Sequence, residues 1–228
     1  MVKTKGYRIA IDPGVALGYR RYGLLPHPFQ VAVSEKVKES IIQELKHSTD
    51  IIISHFHGDH IPLVHANPFQ LDVKKVSDYF KKPSSDIQLL HPKAVSQILN
   101  WDSDIVFVSG PPFYLKFLSG KQKETAWRNA VRLSEGVDIL IIDHNLLRSN
   151  EGYAFLKQIE SESGNRVMCA AEFMKRKPLF LEANRELLYK EMPVSEGWHK
   201  EYAKGRIDTS QYKEWRGIHV DRIREDGA

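Results

Sequence analysis

Residues 50–60 combine an apolar run with a dense group of side chains that can bind metal ions. Residues 51–53 are three consecutive isoleucines, and a short β-branched run of this kind predicts a buried strand. The chain continues Ser-His-Phe-His-Gly-Asp-His, which places polar ligand groups at the carboxyl end of that strand, where α/β sheets bind their ligands. Four such side chains could not all find polar partners in a packed core. The stretch therefore predicts a ligand site in the loop that follows a strand.

The types of side chain in this loop indicate a divalent metal ion. Imidazole nitrogens suit zinc and iron, and a carboxylate beside them suits divalent metals in general. Gly58 allows a tight turn, so that His57, Asp59 and His60 can face one point together. A solvent-exposed polar loop is the alternative, but the preceding strand and the density of ligand groups favour a metal site. We expect one or two ions, zinc first, with iron or manganese as alternatives.

Composition limits the class of protein. The 228 residues carry 33 lysines and arginines against 29 acidic residues, a formal net charge of +4 that permits nucleic-acid contact without requiring it. The single cysteine, Cys169, lies in an apolar context and is expected to be a buried thiol, not a nucleophile. No apolar run reaches transmembrane length and no signal-peptide core opens the chain, so we expect a cytoplasmic protein without a membrane partner.

Apolar patterning alternates between strands and helices, which predicts a layered α/β architecture. A strand over residues 7–11 and a helix over 31–47, with an apolar stripe every four residues at Val33, Val37, Ile41 and Leu45, precede the motif strand. Residues 12–29 between them form a long irregular loop, a kind of segment that is often functional. The further predicted strands cover residues 86–90, 104–108, 137–142 and 166–169, and the further predicted helices cover 73–82, 93–100, 127–133, 153–160 and 171–190.

A second chemical signal lies at the end of the strand predicted over 137–142. That strand delivers Asp143 and His144 at its tip, as the earlier strand delivers His55. If both strands belong to one sheet, His144 can meet the first loop and becomes a candidate ligand.

Several cations could meet an anionic substrate. Arg20, Arg21 and His27 lie in the long loop, and Arg148 follows His144 closely. For each of these residues alone, a surface position is the competing interpretation.

The domain boundary is predicted at residue 190. Residues 1–190 form the α/β domain, and 191–228 form a charged, aliphatic-poor C-terminal appendage. Its aromatic residues are expected to anchor it on the domain, although basic residues interleaved with aromatics could also contact nucleic acid. These aromatic residues are Trp198, Tyr202, Tyr212 and Trp215.

The pattern His-x-His-x-Asp-His at 55–60 resembles the signature of the metallo-β-lactamase fold superfamily. The resemblance implies αββα layers, with His55 and His57 on one metal and Asp59 and His60 on a second. Within that superfamily, the chain resembles an uncharacterised, mainly archaeal family of predicted metal-dependent hydrolases. This resemblance implies that His144 is a ligand of the second metal site that follows the motif loop much later in the sequence. The stretches that carry it are 11–17, 21–28, 54–60, 110–115, 143–148 and 170–173.

This chain departs from the family pattern in two places. The extra N-terminal strand of the family is missing, which together with the second departure implies a shortened sheet. The second departure lies between His91 and Gly110, where this chain lacks a middle section of the family. In the family, that section holds a histidine of the first metal site and an aspartate that bridges both metals. We therefore expect one metal bound mainly by Asp59, His60 and His144, with His55 and His57 close by.

These features predict a metal-dependent hydrolase that uses a metal-activated water. Asp59 would orient or deprotonate that water, and the substrate would be a phosphodiester or an ester. Two alternatives remain: a binding or regulatory relative that lost its chemistry with the middle section, and a nucleic-acid-processing member of the superfamily. The substrate is accordingly a small molecule or a nucleic acid.

Overall fold

The computed structural model describes residues 1–17, 20–53, 59, 60 and 88–227, and the chain divides into two compact units. The first unit comprises Met1–Ser85 and Arg185–Asp226, and the second comprises Asp86–Asn184. This division differs from the boundary that the sequence places at residue 190, because the C-terminal segment groups with the N-terminal part of the chain.

Both units are mixed α/β structures with small sheets. In chain order the elements are β1 (Val2–Lys3), β2 (Arg8–Ile11), α1 (Pro28–Leu45), β3 (Asp50–Ile52), α2 (Pro92–Leu99), β4 (Ile105–Ser109), α3 (Gly120–Glu135), β5 (Ile139–Asp143), a 3₁₀ turn (Leu146–Arg148), α4 (Asn150–Ser163), β6 (Arg166–Met168), α5 (Ala170–Phe173), α6 (Arg185–Glu191), α7 (Trp198–Ala203), β7 (Glu214–Trp215), β8 (Ile218–His219) and a final 3₁₀ segment (Val220–Gly227).

The sheet of the first unit has the order β1-β2-β3. β1 runs antiparallel to β2, whereas β2 and β3 are parallel and joined through α1, as the sequence pattern predicts. The expected burial of the motif strand is wrong: Ile51 and Ile52 are 53% and 50% exposed. β3 is a three-residue edge strand of the described sheet, paired on one side with β2. Successive strand residues point to opposite faces, so the exposure of both isoleucines means that neither face of β3 is well covered.

Helix α1 is buried at its beginning and not along one stripe. Its buried residues all lie in the first two turns, from Pro28 to Ser34, whereas Val37 is exposed. The four-residue stripe predicted from the sequence is therefore not the buried face. The helix inserts its N-terminal end into the unit, so burial there depends on position along the axis as well as on the side of the helix.

Three consecutive backbone carbonyls of the long loop bind side chains from the C-terminal segment. We call this contact the carbonyl clasp, and it explains why residues 185–226 belong to the first unit. Its pairs are Arg185 Nη1 to Leu24 O at 3.0 Å, Tyr189 Oη to Leu25 O at 3.2 Å and His199 Nε2 to Pro26 O at 2.9 Å.

His27 stands next to the clasp and is fully buried. Its Nδ1 accepts from the backbone N–H of Phe29 at 3.1 Å, and its Nε2 donates to the carbonyl of Met192 at 2.8 Å. The imidazole thereby caps α1 and holds the C-terminal segment at once. Burial lowers the pKa of His27 to about 4, against the opposing effect of the Met192 hydrogen bond, and His199 adds to the lowering.

The sheet of the second unit is parallel throughout, in the order β4-β5-β6. One face carries Val106, Leu140, Ile142 and Val167 into the hydrophobic core, which includes side chains of α2, α3 and α4. Alternation along a strand turns the intervening residues of β4, Ile105 and Phe107, to the opposite face, where both are exposed.

Three strands and three helices that the sequence predicts in the second unit occur there, although α3 begins at Gly120, well before its predicted start at residue 127. The helix predicted over 171–190 is wrong: the structure has two short helices, α5 and α6, separated by irregular chain. Pro178 lies in that gap, and proline inside a helix removes a backbone donor and clashes with the preceding turn.

Two further predicted elements fall partly or wholly on residues that are not described. The helix predicted over 73–82 lies outside the described residues. Of the strand predicted over 86–90, the described part, 88–90, forms a turn. No helix in the described part of the chain has the length and apolar character needed to cross a membrane.

Asp143 joins the carboxyl ends of all three strands in the second unit. Its Oδ1 accepts from the backbone N–H of His144 at 2.6 Å, and its Oδ2 accepts from that of Ala170, just after β6, at 2.7 Å. Its carbonyl accepts from Gly110, just after β4, at 3.1 Å. His144 follows with a φ of 62°, a left-handed conformation that this bonded turn holds in place.

We expect His27 to make the fold sensitive to acid. The unfolded chain protonates this histidine with a pKa of 6.5 and the folded chain at about 4, so stability is lost as the pH falls through that window. Between pH 7 and pH 5 the free energy of unfolding should fall by about 2 kcal/mol. Urea unfolding at the two pH values measures this. The difference should become clearly smaller in His27→Gln, where the lowered pKa of the half-buried His199 still contributes, and should persist in full in His47→Gln, which removes an exposed histidine of the same unit.

Asp143→Asn should destabilise the second unit by about 2 kcal/mol, because an amide cannot replace both charge-assisted acceptor contacts to backbone N–H groups. Asp138→Asn, at an exposed position of the same unit, is the control and should change stability little. Thermal or urea unfolding compares them. Equal stability of both variants would mean that Asp143 does not join the strand ends.

Candidate functional site

Asp59 and His60 are the residues of the predicted metal loop that the structure describes. Both side chains are largely buried, with 23% and 15% exposure, and the His60 Nε2 lies 3.8 Å from the Asp59 Oδ1. Two polar side chains thus face each other in a sheltered place beyond β3. His55 and His57, the other two predicted ligands in this loop, lie outside the described residues.

The other ring nitrogen of His60 faces a second carboxylate. Its Nδ1 lies 3.1 Å from the Oδ2 of Asp12, the residue immediately after β2. The backbone N–H of Asp12 donates to the carbonyl of Ile52 at 2.9 Å, which continues the parallel pairing of β2 and β3. The sheet therefore positions Asp12 at the strand edge from which the predicted metal loop begins.

An imidazole between two carboxylates fits a divalent metal. A carboxylate that accepts the Nδ1 proton fixes the tautomer in which Nε2 carries the lone pair, and metal-binding histidines characteristically have such a partner. The sequence did not point to Asp12 as a neighbour of His60, because the residue was assigned only to the long loop over 12–29. The available signal was its place at the tip of a strand parallel to the motif strand.

His144 lies in the second unit, half-buried at the carboxyl end of β5. The sequence analysis assigns it to the same metal as Asp59 and His60, and that assignment stays a prediction.

Arg148 is anchored at the same strand end as His144. Its Nη1 lies 3.4 Å from the Oη of Tyr114 and also bonds the Oδ1 of Asn145, while its guanidinium lies 6.0 Å from the centre of the Tyr114 ring. Tyr114 Oη in turn donates to Asn145 Oδ1 at 3.2 Å. The structure thus gives a defined position to a cation that the sequence proposed for substrate binding.

The three candidate substrate-binding residues of the long loop differ in character. Arg20 is exposed and its Nη1 donates to the carbonyl of Gly23 at 3.1 Å, and Arg21 pairs through its backbone with Leu24. Both residues belong to a hydrogen-bonded turn. His27 is different, because both of its ring nitrogens are bonded to the backbone in a fully buried place. This position suits a structural residue, so we leave His27 out of the proposed substrate-binding set.

Cys169 is fully buried, as predicted, and burial raises the pKa of its thiol to about 11. A thiol that stays protonated at neutral pH is a poor nucleophile. The neighbouring Glu172 accepts from the Cys169 backbone N–H at 2.9 Å, from Tyr153 Oη at 3.2 Å and from Lys157 Nζ at 2.9 Å. This network closes the start of α5 and has a structural role.

A scan of the sequence against protein-family models found no match. A search of solved structures likewise found no similar one.

Curated proteins give clear similarity along nearly the whole chain. The UPF0282 protein of Methanosarcina mazei is 38% identical over an alignment of 283 residues that covers 93% of this chain and 93% of the relative. The UPF0282 protein of Saccharolobus solfataricus is 25% identical, with 84% of this chain and 88% of the relative covered. The UPF0282 protein of Pyrococcus horikoshii is 26% identical, with 80% and 85% covered.

The alignment with the Methanosarcina mazei protein is longer than this chain of 228 residues. The relative therefore has residues inside the aligned region for which this chain has no counterpart. The identity and coverage nevertheless show the relationship: the chain belongs to the UPF0282 family, whose members are mainly archaeal proteins.

Proposed function

We propose that this protein is a metal-dependent hydrolase with a metallo-β-lactamase-like fold, shortened in its sheet. The observation that carries the proposal is the placement of His60, with Asp12 3.1 Å from one ring nitrogen and Asp59 3.8 Å from the other. A surface histidine needs neither contact. A metal-binding histidine characteristically pairs its other ring nitrogen with a carboxylate, a backbone carbonyl or water, and further ligands complete the metal site.

Asp59 and His60 would hold the ion, and the sequence motif adds His144 as a third ligand, with His55 and His57 nearby. Three protein ligands are the usual set of a catalytic zinc site, because they leave one tetrahedral position open. A bound zinc, or in its place iron or manganese, would lower the pKa of its water toward neutrality and polarise the scissile bond.

Other residues would orient the metal ligand, the water and the substrate. Asp12 holds the Nδ1 proton of His60 and keeps the imidazole in one orientation. Asp59 orients the attacking water or accepts its proton. Arg148, fixed against Tyr114 and Asn145, is placed to meet the negative charge of a phosphodiester or to polarise an ester carbonyl, and Arg20 and Arg21 are further candidates.

The fold offers supporting observations. In each unit polar residues follow the carboxyl ends of parallel strands, Asp12 after β2 and His144 after β5. Open α/β sheets bind ligands at this edge. The strand ends therefore support a ligand site, and the order of the sequence motifs supports the proposed αββα layers.

The alternative is a binding or regulatory relative without turnover. It is favoured by the residues that the Methanosarcina mazei protein has and this chain lacks inside the aligned region. Loss of metal ligands with those residues would leave the fold and remove the chemistry. Metal-dependent turnover separates the two proposals.

Metal content measured by elemental analysis should be close to one or two ions per chain. His60→Ala should bind almost none, because it removes a ligand, and Asp12→Asn should weaken metal affinity about 10- to 100-fold, because it removes the partner that orients His60. Hydrolysis of a generic phosphodiester should fall in both variants and stop after chelation. Asp50→Asn, an exposed aspartate of the same sheet, is the control and should keep its metal.

Two results would contradict the proposal. The first is full metal content in His60→Ala, which would place any metal elsewhere. The second is a metal-loaded wild-type protein without turnover on either phosphodiesters or esters, which would favour the binding relative.

A further inference from the structure

We propose that the second unit carries a binding surface for single-stranded nucleic acid, formed by the exposed ring of Phe107 and the cations Lys175, Arg176 and Lys177. We call it the ring–cation surface. It lies entirely in the second unit and does not depend on the metal site.

The three cations are consecutive and all exposed. Within the described part of the chain, none of them forms an ion pair, in contrast to Lys157, which binds Glu160 and Glu172. Their charge is therefore directed to solvent and not neutralised by a neighbouring carboxylate.

The backbone fixes where these cations lie. After α5, the N–H of Lys175 donates to Glu172 O at 2.9 Å and that of Arg176 donates to Ala171 O at 2.8 Å. This pair of bonds is a Schellman closure, with Lys175 in the left-handed position at a φ of 57°. The cations are thus held within one tight turn of Phe173 and are not spread along a mobile tail.

Phe173 links the turn to the sheet. Its ring lies 5.4 Å from that of Phe107 with an interplanar angle of 87°, an edge-to-face contact. Phe107 itself is 60% exposed, on the sheet face opposite the hydrophobic core, and Met174 beside the cations is 59% exposed. An aromatic ring is therefore presented to solvent next to three unneutralised cations.

Charge and ring together favour one occupant. The cations complement phosphates, and the chain as a whole has a net charge of +4. An acidic peptide would need the charge alone, whereas an anionic membrane would also take up exposed apolar side chains beside the charge, so the vesicle comparison below separates a membrane from a nucleic acid. An exposed aromatic ring adds a platform on which a base can stack, and stacking combined with a basic surface is the way in which single strands are bound without sequence preference.

The left-handed backbone conformation of Lys175 allows its charge to be removed without destabilising the turn. Glycine is the residue that this position of a Schellman closure favours, and a lysine there adopts a less favourable backbone conformation. Lys175→Gly should therefore leave the fold at least as stable while removing one of the three cations. A change that improves the fold and weakens binding separates a ligand contact from a structural role.

The test is fluorescence anisotropy of a labelled oligodeoxythymidylate of about 20 nucleotides, with the full chain in EDTA so that no cleavage can occur. Binding should weaken with salt, with a log–log slope of about −2 for three phosphate contacts on a single strand. The triple variant Lys175→Gln, Arg176→Gln, Lys177→Gln should lose at least tenfold in affinity and most of that slope. Phe107→Leu, which keeps an apolar side chain, should lose roughly fivefold or more.

The matched control removes three exposed lysines elsewhere in the same unit, Lys93→Gln, Lys116→Gln and Lys121→Gln. It should keep most of the affinity. An equal loss in this control would overturn the proposal, because binding would then depend on total charge alone. So would the absence of wild-type binding at low salt, unchanged binding in Phe107→Leu, or equally tight binding of polyglutamate or of vesicles containing phosphatidylserine.

Lys175→Gly completes the set. Its urea midpoint should be equal to or above that of the wild type, and its affinity for the oligonucleotide should be reduced; unchanged affinity would overturn the role of Lys175. All these measurements are made without metal. A protein that binds the oligonucleotide and hydrolyses nothing would leave this inference intact and reject the proposed hydrolase.

Discussion

Parallel pairing of neighbouring strands determines where the polar residues of this protein meet. In the first unit, β2 and β3 run side by side, so the residue after β2 arrives at the edge from which the predicted metal loop starts, and Asp12 lies 3.1 Å from His60. In the second unit, the same pairing brings the ends of β4, β5 and β6 together at Asp143. No single turn motif creates either arrangement, because each requires strands that are distant in sequence to end at the same edge of a sheet.

Two histidines of the first unit show how the partner of a ring nitrogen decides its role. His27 uses both nitrogens on the backbone, is neutral, and joins α1 to the C-terminal segment. His60 has carboxylates near both nitrogens. The sequence offered both as candidates for the site, since each lies in a loop that adjoins a strand or helix. The distinction depends on neighbours that the local sequence does not reveal, above all Met192, which is 165 residues from His27.

The elements that sequence reasoning located well are those with a strong local pattern. Strands β4 and β5 are short apolar runs rich in β-branched residues, and the helices beside them have regular apolar spacing. The errors have tertiary causes. Ile51 and Ile52 look like core residues, but β3 lies at an edge of the described sheet. Helix α1 is buried at its N-terminal end and not along the apolar stripe that its sequence shows. The break at Pro178 was visible in the sequence, whereas the role of Asp12 required knowing that β2 and β3 are neighbours.

The carbonyl clasp has a consequence for the order in which the chain can acquire its structure. The second unit is continuous, from Asp86 to Asn184, whereas the first needs residues from both ends of the sequence. During synthesis, Arg185, Tyr189 and His199 leave the ribosome only after the whole second unit has been made, a delay on the order of ten seconds for about a hundred residues. Until then the carbonyls of Leu24, Leu25 and Pro26 lack their partners in the clasp, so the first unit can be completed only after the chain of the second unit has been synthesised.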